Sequence, residues 1–327
     1  MKKEASYYKK LADNSVQCLL CPHLCIIKDK GSGICLIRKN IDGTLYQTAY
    51  GEVVSVNLDP IEKKPLYHFY PGSEILSIGT NGCNLRCSFC QNYSISTKET
   101  NRQKVKIDDL VILAKKHNSI GIAYTYNEPT IWYEFVRDTA KIFKENGLKN
   151  VIVSNGNINK EPLLELIKYI DAANIDLKGF TKEFYDWVKG DLETVKHTIK
   201  TLFDNNIHTE VTFLLVPNKN DDIDDFKLML DFLKNISVDL PLHISRYFST
   251  YKCSEPATDI GMMLKFYELA KEYLNYVYLG NVNIEGALDT FCPDCGSILV
   301  KRAGYLTEIL NYGDKCNKCL KKLYFQF

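Results

Sequence analysis

Gly82-Cys83-Asn84-Leu85-Arg86-Cys87-Ser88-Phe89-Cys90, entered from the apolar stretch 75–80, is the segment on which the fold turns. Its cysteines are spaced C-x3-C-x2-C on one tight loop behind a strand-like run. Three thiolates so arranged can hold three irons of a [4Fe–4S] cluster and leave the fourth iron without a protein ligand. A closed cluster would want a fourth cysteine nearby, and none lies between Cys90 and Cys253. An iron with an open coordination position is suited to binding a substrate. Zinc is the competing reading, but zinc sites usually pair two knuckles to reach four ligands, and this loop has no partner pair close by.

Outward from that loop, β-rich runs alternate with helical spacing. Strands are predicted at 75–80, 121–126, 151–155, 173–178, 208–216 and 242–247, with a late seventh at 276–281. Between them apolar residues recur at helical intervals, as at Phe226, Met229, Leu230 and Leu233. Such alternation predicts parallel βαβ units with right-handed crossovers. Six units fit a partial barrel better than a complete eight-unit one, and a doubly wound sheet is the alternative the pattern leaves open. The expected α/β fold is therefore a partial (β/α)6 barrel over 71–285, flanked by cysteine-rich metal-binding modules at 1–70 and 286–327.

In either architecture the chemistry sits at the carboxyl ends of the strands. There the sequence places Asn127-Glu128-Pro129-Thr130, Ser154-Asn155-Gly156-Asn157, Asp176 with Lys178, and His243, Ser245 and Arg246. Asp176 and Lys178 alternate with Ile175 and Leu177, so both should point into the barrel.

Bulk properties narrow the class. The chain has 327 residues, 45% apolar and 25% charged, as ordinary globular proteins do. A net charge of +1 gives no pull toward nucleic acid or an anionic membrane. No run of 18 apolar residues occurs, and the first residues lack a secretory h-region, so a cytoplasmic protein is expected. Twelve cysteines without such a signal point to metal binding in a reducing compartment.

Eleven of the twelve cysteines are clustered, Cys253 standing alone. Cys292-Pro293-Asp294-Cys295-Gly296 and Cys316-Asn317-Lys318-Cys319 form two C-x2-C knuckles. Together they make a closed four-thiolate site, for which zinc is the first expectation and rubredoxin-like iron the second. The N-terminal set is Cys18, Cys21, Cys25 and Cys35, with His23 able to replace one of them. Spacing leaves zinc or an auxiliary [4Fe–4S] cluster open there.

The loop spacing, with the aromatic Phe89 before the last cysteine, resembles the signature of the radical S-adenosylmethionine (SAM) enzymes. Over nearly its whole length the chain is similar to the pyruvate formate-lyase activating-enzyme-like branch, and more narrowly resembles the AmmeMemoRadiSam system radical SAM enzymes. The residues carrying this are Cys18 through Cys25, Asp59-Pro60-Ile61-Glu62-Lys63-Lys64-Pro65-Leu66-Tyr67-His68 and Gly82 through Asn92. Tyr126 through Thr130, Ser154-Asn155-Gly156, Asp176-Leu177-Lys178, His243 through Arg246 and Cys292 through Gly296 complete them. The resemblance implies a [4Fe–4S] cluster on Cys83, Cys87 and Cys90, SAM near Glu128 and Ser154, and a Memo-type partner protein. It names no substrate.

A radical SAM site would cleave SAM reductively to a 5′-deoxyadenosyl radical that takes hydrogen from a protein or small-molecule substrate. A reducing partner such as ferredoxin or flavodoxin is then required. Glu128 or the Asn127 carbonyl could accept from the SAM ammonium, and Ser154, Asn155 and Asn157 could meet the ribose. Asn92 and Arg246 could meet the SAM carboxylate or the substrate. Plainer roles stand beside these. Asn-Glu-Pro is a good strand-to-helix turn, Ser154 a capping group, His243 a satisfied core histidine, and Lys63-Lys64 a solvated face. Among enzymes the alternative is a glycyl radical enzyme activase, although two extra cysteine quartets set this chain apart from compact activases. An RNA-modifying or RNA-binding metalloprotein is the reading from another class. The near-neutral charge and the lack of a basic–aromatic stripe count against it.

Overall fold

Strands covered on both faces read as continuous apolar runs, and the central strands do so. Gly121–Tyr124 is buried throughout, and Lys149–Ser154, Ala172–Asp176 and His208–Leu215 nearly so. The computed structural model describes residues 2–327. In it these strands stand in sequence order between Glu74–Gly79 on one side and Leu242–Arg246 and Val277–Gly280 on the other. All pairings within this set are parallel. Ser55–Pro60 adds an antiparallel edge strand against Glu74–Gly79.

This is the expected α/β partial barrel, with two extensions. Val277–Gly280, the late seventh strand predicted at 276–281, continues the parallel set beyond the six-unit core. Ser55–Pro60 joins the central sheet from the N-terminal side of the boundary expected at residue 70. The predicted strands also run past the observed ones at their carboxyl ends, 121–126 against Gly121–Tyr124 and 173–178 against Ala172–Asp176. Those final residues leave the ladder to form the rim.

Helix Ile223–Ile236 shows why the connections are helical. Asp222 accepts from the N–H groups of Asp224 and Asp225 at its start. Phe226, Met229, Leu230 and Leu233 then form one buried stripe. Each such side chain stabilises by roughly 1.5–3 kcal/mol on burial. Among the described residues no helix is long and apolar enough to cross a membrane.

Buried cations tie both flanking segments to distant parts of the chain. In the N-terminal module Arg38, 1% exposed, pairs with Glu134 at 3.1 Å on helix Tyr133–Glu145. In the C-terminal module, a three-stranded antiparallel sheet with its own small core, Arg302 donates to the Tyr67 carbonyl at 2.7 Å. The Gln326 N–H donates to the His68 carbonyl at 2.8 Å.

Candidate active site

The cysteine loop leaves strand Glu74–Gly79 at its carboxyl end. Gly82 turns it with φ +89°, and a Cβ there would stand 2.2 Å from the Cys35 carbonyl oxygen. Only glycine allows this approach. Cys83, Cys87 and Cys90 thereby reach the wall of a cavity of about 860 Å³, within the usual size of small-molecule sites. Among the described residues no other cysteine lines it.

The sulfurs of Cys83 and Cys90 are already hydrogen-bonded. The Leu85 N–H and Asn155 Nδ2 donate to Cys83 Sγ at 3.3 and 3.6 Å, and Ser96 Oγ lies 3.2 Å from Cys90 Sγ. Burial, reinforced by Glu128, pushes the Cys83 thiol well above its ordinary pKa, and burial raises Cys87 to about 12. Such thiols ionise when a cation binds, so metal loading releases protons. The donor set fits a cluster rather than one ion. Among the described residues, the group of potential ligands gathered within 4.8 Å of one another is Cys292, Cys295, Cys316 and Cys319, not this loop. Cubane irons at separate corners require wider thiolate spacing.

Phe89, Asn92, Asn127, Glu128, Asn155, Asp176 and Lys178 all line the cavity, as the sequence places them. Asn127 ties the strand end to the cysteine loop, accepting from the Thr80 N–H at 3.0 Å and donating to the Gly82 carbonyl at 3.0 Å. Glu128 combines both of its readings. It caps the short helix Pro129–Trp132 through the Thr130 N–H at 3.0 Å, and it accepts from the Asn155 N–H at 2.8 Å and the Ser154 hydroxyl at 2.7 Å. Burial raises its pKa against these donors. Lys178 donates to Asp176 at 2.9 Å. Burial opposes its charge, but Asp176 and Cys87 hold its pKa above the ordinary value.

Other expected residues stand elsewhere. Ser154 and Asn157 lie behind the wall, Ser154 on Glu128 and the Asn157 carbonyl on Asn84 Nδ2 at 2.8 Å. Arg246 lies outside the lining, donating from Nε to the Thr258 carbonyl at 2.8 Å and covering the Phe248 ring. His243 is the satisfied core histidine expected, 2.7 Å from Glu210, yet it also borders the cavity.

The Lys63-Lys64 pair corrects the solvated-face reading. Lys63 is exposed, but Lys64 is 1% exposed and donates to Asp59 at 2.5 Å. Asp59 also accepts from Lys63 at 2.7 Å and from the Tyr126 hydroxyl at 2.6 Å. Against burial, these donors hold its carboxyl far below the usual range. Tyr126 adopts φ +71°, a conformation rare outside glycine, beside the cavity. Sequence reasoning also missed Glu210, which accepts from the Tyr67 and His68 N–H groups and from His208 and His243. Its signal was an acid inside an otherwise strand-like run. Gly304 and Tyr305 of the C-terminal hairpin close part of the lining, and no spacing announced them.

The C-terminal quartet is compact, with Cys292–Cys319 and Cys295–Cys316 sulfurs 3.5 and 3.7 Å apart. Tetrahedral thiolates 2.3 Å from one zinc would stand about 3.8 Å apart.

Comparison with known proteins agrees with this geometry. The Radical SAM superfamily matches residues 77–233. The chain is 44% identical over 324 residues to an uncharacterized protein of Methanocaldococcus jannaschii, MJ0808, covering 97% of this chain and 96% of that one. It is 26% identical over 169 residues to the pyruvate formate-lyase 1-activating enzyme of Escherichia coli, covering 47% of this chain and 66% of that one. The fold resembles Streptococcus suis SuiB bound to S-adenosylmethionine, with TM-score 0.52, 15% identity, and coverage of 64% of this chain and 52% of that one. The cysteine loop at the head of the parallel sheet lies within that match, so residues 77–233 are a Radical SAM superfamily domain of an enzyme whose relatives include proteins named as glycyl-radical and pyruvate formate-lyase activating enzymes.

Proposed function

We propose that the chain uses Cys83, Cys87 and Cys90 to hold a [4Fe–4S] cluster, binds SAM at its open iron, and abstracts hydrogen from a substrate held in the same cavity. The observation that carries this is three thiols from one loop opening into one cavity of about 860 Å³ with, among the described residues, no fourth cysteine in its lining. When bound, the two cofactors supply one-electron cleavage of the C5′–S bond to methionine and a 5′-deoxyadenosyl radical. The protein's share is placement. Asn155 and the Leu85 N–H donate toward Cys83, Asn127 fixes the loop, and Glu128 braces Asn155. Asn92 and the Asn127 and Asn155 amides offer polar contacts for SAM, with Phe89 as an apolar wall. Asp176 and Lys178 face the substrate as a preset ion pair. Ser154 and Asn157 act as positioning residues and Arg246 stays peripheral.

A ferredoxin- or flavodoxin-class donor supplies the electron, in a reducing cytoplasm. The C-terminal quartet takes zinc, in keeping with its sulfur spacing. A Memo-type partner rests on the family resemblance alone. The likeness to the Escherichia coli activating enzyme favours a second reading, a glycyl radical activase acting on a protein backbone.

Electron paramagnetic resonance of the reduced, reconstituted protein tests the site. SAM should shift the cluster signal, and a signal indifferent to SAM would reject the open iron. A glycyl doublet on a large copurifying partner would select the second reading.

A further inference from the structure

We propose that Cys18, Cys21, Cys25 and Cys35 hold a second, closed [4Fe–4S] cluster through which electrons enter the Cys83 loop. All four thiols line one small cavity walled by Leu20, Ile27 and Ile131, and three of the cysteines are buried. They are not drawn together as the C-terminal quartet is, since among the described residues only that quartet is gathered within 4.8 Å. One protein thus shows two sulfur spacings, the tight one suited to a single ion and the wider one to a cubane.

His23, the alternative ligand, is not among the described residues that line this cavity. Its Nε2 lies 2.7 Å from the Asn84 carbonyl, so it carries the proton and donates. That leaves four thiolates, enough to cap every iron, and a capped cluster transfers electrons rather than binding a substrate. Arg38 borders the same cavity with a buried Nε–H that finds no acceptor in the protein. Cluster sulfides would supply one, as hydrogen bonds to iron–sulfur sulfurs commonly do.

The two cysteine sites meet directly. The Cys35 carbonyl packs on Gly82, next in sequence to Cys83, while His23 holds Asn84 and Arg86 donates to the Ile34 carbonyl. A low-potential one-electron donor protein reduces the outer cluster by one electron. That electron passes to the inner cluster and leaves the outer one oxidised again, with no atom transferred. Only the electron's destination rests on the radical reading.

Iron and acid-labile sulfide are counted on the anaerobically reconstituted full chain. About eight of each are expected, four per cubane. Cys25→Ser and Cys35→Ser should each fall to about four while keeping a SAM-responsive signal. Cys87→Ala should keep about four with a signal that ignores SAM. With Cys25→Ser, reduction of the inner cluster by flavodoxin should slow at least tenfold, whereas dithionite reduces it as in the wild type. About four sulfides in the wild type, with a zinc ion bound at the N-terminal quartet, would overturn the second cluster. Unchanged flavodoxin kinetics in Cys25→Ser would overturn the relay. Two clusters that both ignore SAM would reject the radical reading and leave the second cluster standing.

Discussion

Removing the Asp59 charge should cost this protein far more than a surface ion pair is worth. Asp59 and Lys64 side chains are 6% and 2% exposed and lie 2.5 Å apart. Burial lowers the Lys64 pKa even with Asp59 in place, and Lys63 adds repulsion. Asp59→Asn strands this ammonium in the interior, which costs about 3–5 kcal/mol. The exposed Lys63 contact contributes about 0–1 kcal/mol of the same loss. Lys64→Met should cost less, about 1–3 kcal/mol, because Asp59 keeps Lys63 and Tyr126 as donors. Asp59→Asn with Lys64→Met should return to within about 1–2 kcal/mol of wild type, since the neutral pair leaves no buried charge uncompensated. Urea unfolding of the metal-loaded protein under anaerobic conditions measures all four corners of this cycle. Single variants costing under about 1 kcal/mol, or a double variant equal to the sum of the singles, would refute the buried-pair reasoning.

Acid should weaken the fold through His68. Its Nδ1 faces the Tyr324 carbonyl and its Nε2 the Tyr278 hydroxyl, and burial pushes its pKa from 6.5 down to about 3. Between those values the unfolded chain binds a proton that the folded chain refuses, so stability falls as pH drops, by up to about 1.4 kcal/mol per pH unit. His68→Gln should flatten the urea midpoint between pH 6.5 and 5, and an unchanged slope would count against this assignment. Gly82→Ala places a Cβ 2.2 Å from the Cys35 carbonyl at φ +89°. It should cost more than the roughly 1–2 kcal/mol of left-handed strain alone and reduce iron loading. Gly286→Ala, at φ +76° with nothing within 4 Å, should show only the strain. Cys316→Ser should release about one zinc per chain and admit protease between residues 290 and 327, read by metal analysis and peptide mapping.

Most of the fold was legible because parallel strands buried on both faces leave continuous apolar runs, and helix stripes leave their own period. The cysteine loop was legible for a chemical reason, since thiolate ligands are few and their spacing is constrained. The rim residues Asn127, Glu128, Asn155, Asp176 and Lys178 followed from strand ends alone. What stayed hidden depended on tertiary partners. Lys64 looks solvated until the turn Ile61–Lys63 folds it back, buried, onto Asp59 five residues earlier. Ser154 and Asn157 share a segment with Asn155, and only the turn geometry sends them behind the wall. Tyr305 reaches the cavity through a hairpin docked by Arg302, a contact between distant parts of the chain.

The reductive SAM cleavage proposed at Cys83, Cys87 and Cys90 leaves a measurable product. The most direct measurement is 5′-deoxyadenosine by mass spectrometry after anaerobic reconstitution, reduction with dithionite and addition of SAM. Cys87→Ala runs beside the wild type. Product from the wild type and none from the variant is the expected result. A spectroscopically intact cluster that SAM leaves unperturbed, with no product formed, would contradict it.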